Sequence, residues 1–207
     1  MSRIVLRKEA VLIMAVALDE PWRHSAPDVP VRAGLTFQWL DERSLAVLRQ
    51  PGLGYDDQAT FERSLTRLDR GDQCVAGFLD GEPVTFLWLT HGTRQVVGDE
   101  LKLGQNQVWI YKSYTHPGWR RQGLTQLLGR HALERCADNG DGVAFVDMLT
   151  VNRPSVAAFR GVGFRTLGRF LARIEPDGTL QAIVPARLLD RVMALPKTPS
   201  GTGSPPH

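Results

Sequence analysis

Residues 108–133 read VWIYKSYTHPGWRRQGLTQLLGRHAL, and this stretch decides the fold. Residues 108–115 are mostly β-branched or aromatic, the composition of a strand. His116, Pro117 and Gly118 stop it, because proline lacks an N–H and glycine opens turn conformations. A helix is expected to start near Gln122 or Gly123. From there Leu124, Leu127, Leu128, Ala132 and Cys136 recur on one face at the helical period. The loop between strand and helix, Arg120-Arg121-Gln122-Gly123-Leu124-Thr125, is where chemistry is expected. The first amides of a helix have no internal acceptor, and the helix dipole adds partial positive charge there, so an anion docks readily. Gly123 has no Cβ, which lets a ligand approach the backbone, and the two arginines add bidentate donors. The residues alone leave two readings open, a phosphate or pyrophosphate site and an ordinary solvated turn.

The run from Thr115 to Thr125 resembles the acyl-CoA-binding motif of the GNAT superfamily of N-acetyltransferases. There a strand ends in a hydrophobic-x-Pro step, and an aromatic precedes Arg/Gln-x-x-Gly-x-Gly/Ala at a helix start. Arg120 and Gly123 match the first two fixed positions, while Thr125 stands where Gly or Ala is usual. A second stretch, Asn152-Arg153-Pro154-Ser155-Val156-Ala157-Ala158-Phe159-Arg160-Gly161-Val162-Gly163-Phe164, resembles the later motif of the same family. The two motifs stand in the family's order, and the resemblance covers roughly residues 73–186.

Composition sets the bounds. At 207 residues, 43% hydrophobic and 23% charged, the chain reads as one globular domain with room for a core. A net charge of +3 is too small to argue for nucleic acid, despite a pI near 9.1. Cys74 and Cys136 have no neighbouring ligand at metal spacing, so they read as reduced, buried thiols and no metal is expected. Residues 10–18, AVLIMAVAL, follow Arg3, Arg7 and Lys8 and superficially fit an export leader. Glu9 abuts the run, which is also too short to span a bilayer, so a strand or helix packed on the core is expected, in a cytoplasmic protein with no membrane partner.

Elsewhere, 23–32 is a polar, proline-containing loop and Leu35–Leu40 a strand. A short helix begins at 45–48, with Asp41 and Ser44 as caps, and a longer one capped by Asp56 runs through Leu68. Asp80-Gly81-Glu82 joins two strands as a tight hairpin. Residues 91–107 read as a looser segment that covers the site. Residues 143–150 form a buried strand, 152–161 a short helix, and a last hairpin turns at Pro176-Asp177-Gly178. The expected division is an extension over 1–33, an acetyltransferase domain over 34–190 and a disordered tail over 191–207.

The resemblance implies an α/β (α+β) fold, the acyl-CoA N-acyltransferase fold. Its mixed, mostly antiparallel sheet is flanked by helices and splayed between the strands at 108–115 and 143–150. It implies acetyl-CoA or another acyl-CoA as co-substrate, with the pantetheine arm on Ser113 and Thr115. Arg120, Arg121, Gln122, Gly123, Leu124 and Thr125 would hold the pyrophosphate, and Asn152 and Ser155 would touch the pantetheine or adenine side. The acceptor would be a small-molecule or peptide primary amine attacking the thioester directly. The family's usual tyrosine acid is replaced by Phe159, so Tyr111 or Tyr114 becomes the candidate acid. Glu100, His116 and Asp147 are the candidate bases. Pairing into a homodimer is possible in this family. Two alternatives stay open: a long-chain N-acyl amino-acid synthase, and a non-catalytic acyl-CoA-binding module.

Overall fold

The computed structural model describes residues 7–25, 29–55, 57–96, 99–174, 180–181 and 184–194. In chain order these form β1 (Arg7–Ala17), α1 (Glu20–His24), β2 (Leu35–Leu40), a 3-10 turn (Leu45–Arg49), α2 (Gln58–Asp69), β3 (Gln73–Leu79) and β4 (Glu82–Thr90). There follow β5 (Thr93–Val96), β6 (Asp99–Lys102), β7 (Gln107–Thr115), α3 (Leu124–Asp138), β8 (Val143–Leu149), α4 (Arg153–Val162), β9 (Arg165–Ile174), β10 (Leu180–Gln181) and α5 (Ala186–Ala194).

Eight strands make one sheet, in the order β10-β9-β1-β8-β7-β4-β3-β2. Its neighbours are antiparallel except β7 and β8, which α3 connects as a parallel pair. The mixed α/β fold with a mostly antiparallel sheet is therefore the one the resemblance implies. The apolar stripe of α3 buries Leu128, Ala132 and Leu133 on one face of the sheet, where Phe159 of α4 and Phe164 join Ile110 and Val146. The opposite face packs Trp109 and Phe145 under α5 and the β5–β6 hairpin, and Phe86 and Trp88 under the 3-10 turn and α2. Asp80 and Gly81 both have positive φ, 51° and 88°, as a two-residue hairpin turn between β3 and β4 requires.

The apolar run at 10–18 is a packed strand, one of the two forms expected: residues 10–17 fall in β1, which lies inside the sheet between β9 and β8, and two other local expectations change. Val11, Ile13 and Met14 are fully buried there, so the run's hydrophobicity serves a strand with neighbours on both edges. The segment 91–107 is not loose, because β5 and β6 pair within it. The cap of α2 is Asp57, one residue later than expected, with its carboxylate accepting from the Thr60 amide at 2.7 Å. The turn at Pro176-Asp177-Gly178 and the stretch from 195 onward lie outside the described residues, as does Asp56.

Candidate active site

The site begins where β7 and β8 stop pairing. Their register runs from Gln107↔Val143 to Ile110↔Val146, yet β7 continues to Thr115 and β8 to Leu149. A bulge causes the departure. On the other edge of β7, Phe86 faces Tyr114 and Trp88 faces Tyr111, so Leu87 alone opposes Lys112 and Ser113. Lys112 takes the strain, with φ at 49°. The extra residue also puts Tyr111 and Tyr114 against the same cluster around Tyr55 and Phe86.

Beyond Thr115 the chain makes a 3-10 turn at Pro117–Trp119 and reaches Gly123, the N-cap of α3, with φ at 74°. Gln126 and Leu127 donate to the Gly123 carbonyl, so the amides of Leu124 and Thr125 precede the first intrahelical bond. A Cβ at Gly123 would overlap the Val29 methyl group. Residues 29–32 thus lie across the loop, and Arg32 donates to Gln122 Oε1 while standing 5.1 Å from the Trp119 ring centre. Nothing local in the 23–32 loop marks Arg32, which only the fold brings to Gln122 and Trp119. Arg120 folds back on the strand, with Nε donating to the Thr115 carbonyl at 3.1 Å and Nη2 to Tyr114 Oη at 3.4 Å. Thr125 Oγ1 lies 3.0 Å from Thr115 Oγ1, which lies 2.9 Å from Thr85 Oγ1. The hydroxyl that replaces the family's Gly or Ala is thereby engaged with the end of β7. Asn152 caps α4, accepting from the Ser155 amide at 3.4 Å, so both residues stand at that helix's first turn.

At the mouth of the splay, Asp147 Oδ1 accepts from Trp109 Nε1 at 2.7 Å and from Arg94 Nη2 at 3.0 Å. Arg94 comes from β5, and its guanidinium stands 5.1 Å from the Tyr111 ring centre. Tyr111 Oη donates to Asp72, and burial followed by that carboxylate pushes its ionisation far upward. Tyr111 is therefore a firmly held hydroxyl, its proton directed at Asp72. Tyr114 stacks on Phe86 near the loop. Glu100 does not join this group: it is exposed and bonded to Gln95 on the outer side of the β5–β6 hairpin. His116 is bound up in its turn, its Nδ1 accepting from the Gly118 amide at 3.2 Å. Phe159 is buried edge-on against Phe164, with a packing role. His131 likewise packs, stacked on Phe37 at 4.7 Å, and burial lowers its pKa.

Both cysteines are free and buried. At the far ends of β7 and β8 the fold gathers His91, Asp141 and Cys136, distant in sequence, with ligand atoms within 4.8 Å. The His91 Nε2–Asp141 Oδ2 separation of 2.8 Å is that of a hydrogen bond, and burial and then Asp141 push the Cys136 thiol up to about 12.

A strand bulge, a parallel pair that parts and a helix N-terminus come together at one end of the sheet. The acetyltransferase (GNAT) family model matches residues 34–164, and the chain belongs to that family. Solved structures agree on the fold. A GCN5-related N-acetyltransferase from Sphaerobacter thermophilus is similar at 21% identity and a TM-score of 0.58, over 81% of this chain and 52% of that one. A putative GNAT acetyltransferase from Novosphingobium aromaticivorans is similar at 17% identity and a TM-score of 0.53, over 81% and 64%. A functionally unknown protein from Staphylococcus epidermidis matches at 7% identity and a TM-score of 0.55, over 81% and 62%. The chain thus spans between half and two thirds of these solved chains. No curated protein matches it. Among the described residues, no helix is long and apolar enough to cross a membrane.

Proposed function

We propose that the protein moves an acetyl or short acyl group from acyl-CoA to a primary amine by direct attack. The observation that carries this reading is the opening of β7 from β8 beyond Ile110↔Val146, with the Gly123 corner of α3 next in the chain. The opening exposes the β8-side edge of residues 111–115 to an extended amide-bearing arm, with Ser113 and Thr115 as its partners. The first-turn amides at Leu124 and Thr125, the Gly123 backbone, Gln122, Arg120 and Arg121 suit a pyrophosphate, and Arg32 adds a cation to that set. Asn152 and Ser155, at the neighbouring helix start, suit the pantetheine or adenine side.

Acyl-CoA supplies the activated thioester. The amine nitrogen bonds to its carbonyl carbon, the C–S bond breaks, and the amine's proton ends on the thiol. Asp147, held by Arg94 and Trp109 one residue past the last rung that β8 shares with β7, orients the incoming amine. Tyr114, beside the loop, is better placed than Tyr111 to meet the leaving sulfur, because Tyr111 is directed at Asp72. Glu100, exposed on the hairpin, is not assigned a role.

The test is release of free CoA from acetyl-CoA across a panel of amines, run beside a long-chain acyl-CoA. Amine-dependent release from acetyl-CoA supports the reading. Release only from the long-chain donor, or from neither, contradicts it.

A further inference from the structure

The acceptor side of the splay carries more positive charge than its own carboxylates answer. Tyr111 is the first β7 residue past the last rung shared with β8. Two guanidiniums from separate elements face its ring, Arg94 of β5 at 5.1 Å and Arg67 of α2 at 6.0 Å. Arg67 donates to Ser64 Oγ at 3.1 Å and also stands 5.6 Å from the Trp88 ring centre. Arg63, one turn earlier on α2, donates to Thr60 Oγ1 at 2.7 Å. Lys112 completes the group, its ammonium 4.7 Å from the Tyr55 ring centre. Against these four cations stand Asp147, paired with Arg94, and Asp72, which takes the Tyr111 hydroxyl; Asp57, at the α2 cap, is bound to Thr60.

The surplus has two physical signatures. Arg94 Nε is buried with no hydrogen-bond partner among the described residues, although its side chain remains 22% exposed. A buried charged donor left unmatched is costly, and an anionic oxygen is the partner that answers it. Burial, then Arg67 and Arg63, push the Lys112 ammonium down to about 8, as expected where cations crowd. Guanidiniums over aromatic rings suit a planar carboxylate, which accepts two parallel N–H bonds from such a group.

We propose that the acceptor is an amine carrying a carboxylate close to its nitrogen, of the amino-acid type, and that Arg67 and Arg94 receive this carboxylate beside Tyr111. The inference rests on the acetyl-transfer reading above and names its substrate class. A polycationic amine meets like charge at the same place, so aminoglycosides and polyamines are disfavoured. Anchoring the carboxylate leaves the amine to project from it into the gap between β7 and β8, where the thioester would lie.

The experiment compares free amino acids with their carboxamides as acceptors, following CoA release from acetyl-CoA, with acetyl-CoA binding measured separately by calorimetry. The wild type should favour the acids by at least about tenfold in kcat/KM. Arg67→Gln and Arg94→Gln should each erase most of that preference, lowering kcat/KM for the acids far more than for the carboxamides and chiefly through KM; an equal loss for both acceptors would overturn the carboxylate role. Circular dichroism on each variant separates this from misfolding, and titration of N-acetyl amino acids into the folded protein reads the carboxylate site without turnover. Acetyl-CoA binding with carboxamides or polyamines used as well as acids overturns this inference and leaves acetyl transfer standing. Failure to bind acetyl-CoA overturns both.

Discussion

Arg130 Nη1 donates to the Trp22 carbonyl at 2.8 Å, and its guanidinium carbon stands 4.0 Å from the centre of the Trp22 ring. The same side chain reaches Ser25 Oγ at 3.2 Å and Glu134 at 2.8 Å, while Trp22 Nε1 donates to the Val162 carbonyl at 2.8 Å. One arginine of α3 therefore satisfies the end of α1, and Trp22 ties that end to α4. Arg130→Ala should cost about 2–4 kcal/mol, because buried carbonyls lose a charged donor and the ring loses its cation. Urea unfolding followed by tryptophan fluorescence measures it; a loss under about 0.5 kcal/mol would refute the role.

Gly123 and Arg121 make a matched pair, since both have positive φ, 74° and 63°. Gly123→Ala adds a Cβ that overlaps Val29, whereas Arg121→Gly only relieves strain. The alanine variant should lose about 1 kcal/mol or more of stability and weaken acetyl-CoA binding. The glycine variant should be at least as stable as wild type while also binding acetyl-CoA more weakly. Thermal melts with and without ligand separate the two.

Such local features were legible because they are written in short stretches. The strand, the Pro-Gly stop and the apolar period of α3 follow from neighbouring residues, as does the Asp80-Gly81 hairpin. What stayed hidden depends on distant pairing. The 10–18 run carries the same apolar letters whether it packs as a helix or as a strand, and only its register with β8 and β9 shows an inner strand. Arg67, Arg94 and Arg32 are ordinary surface arginines in sequence; the sheet order places the first two at Tyr111 and the third at Gln122. Glu100 looked suitable as a base because it lies in a covering segment, but Arg94 and Leu101 are paired across the β5–β6 hairpin while Glu100 faces Gln95, on the outer side.

Lys112 should leave a signature in alkaline stability. Its folded-state value is lowered to about 8, beneath the ordinary lysine value near 10.4. Between the two the unfolded chain holds the extra proton, so this residue's contribution grows more favourable as pH rises through that window. The difference in Tm between wild type and Lys112→Met should shift toward the wild type by roughly one to two degrees from pH 8 to pH 10, solvent screening keeping it small. A difference that is flat, or that moves the other way, would contradict the placement of the amine.

Neither thiol should react in the folded protein. Burial raises Cys74 far above the ordinary thiol range and, with Asp141, raises Cys136 to about 12. A disulfide reagent at pH 8 should therefore label almost none of the two cysteines until denaturant is added. Prompt labelling of either would contradict the packing of β3 or α3, and the low background makes CoA release readable with the same reagent.

The central claim is that the corner where β7 leads into α3 holds the phosphates of acyl-CoA. Calorimetric titration of acetyl-CoA into wild type and into the exposed-loop variant Arg120→Ala with Arg121→Ala tests it most directly. The account predicts one site per chain in the wild type and at least about tenfold weaker affinity in the variant, with an unchanged melting temperature in the absence of ligand. No binding by the wild type, or equal affinity in both proteins, would contradict it.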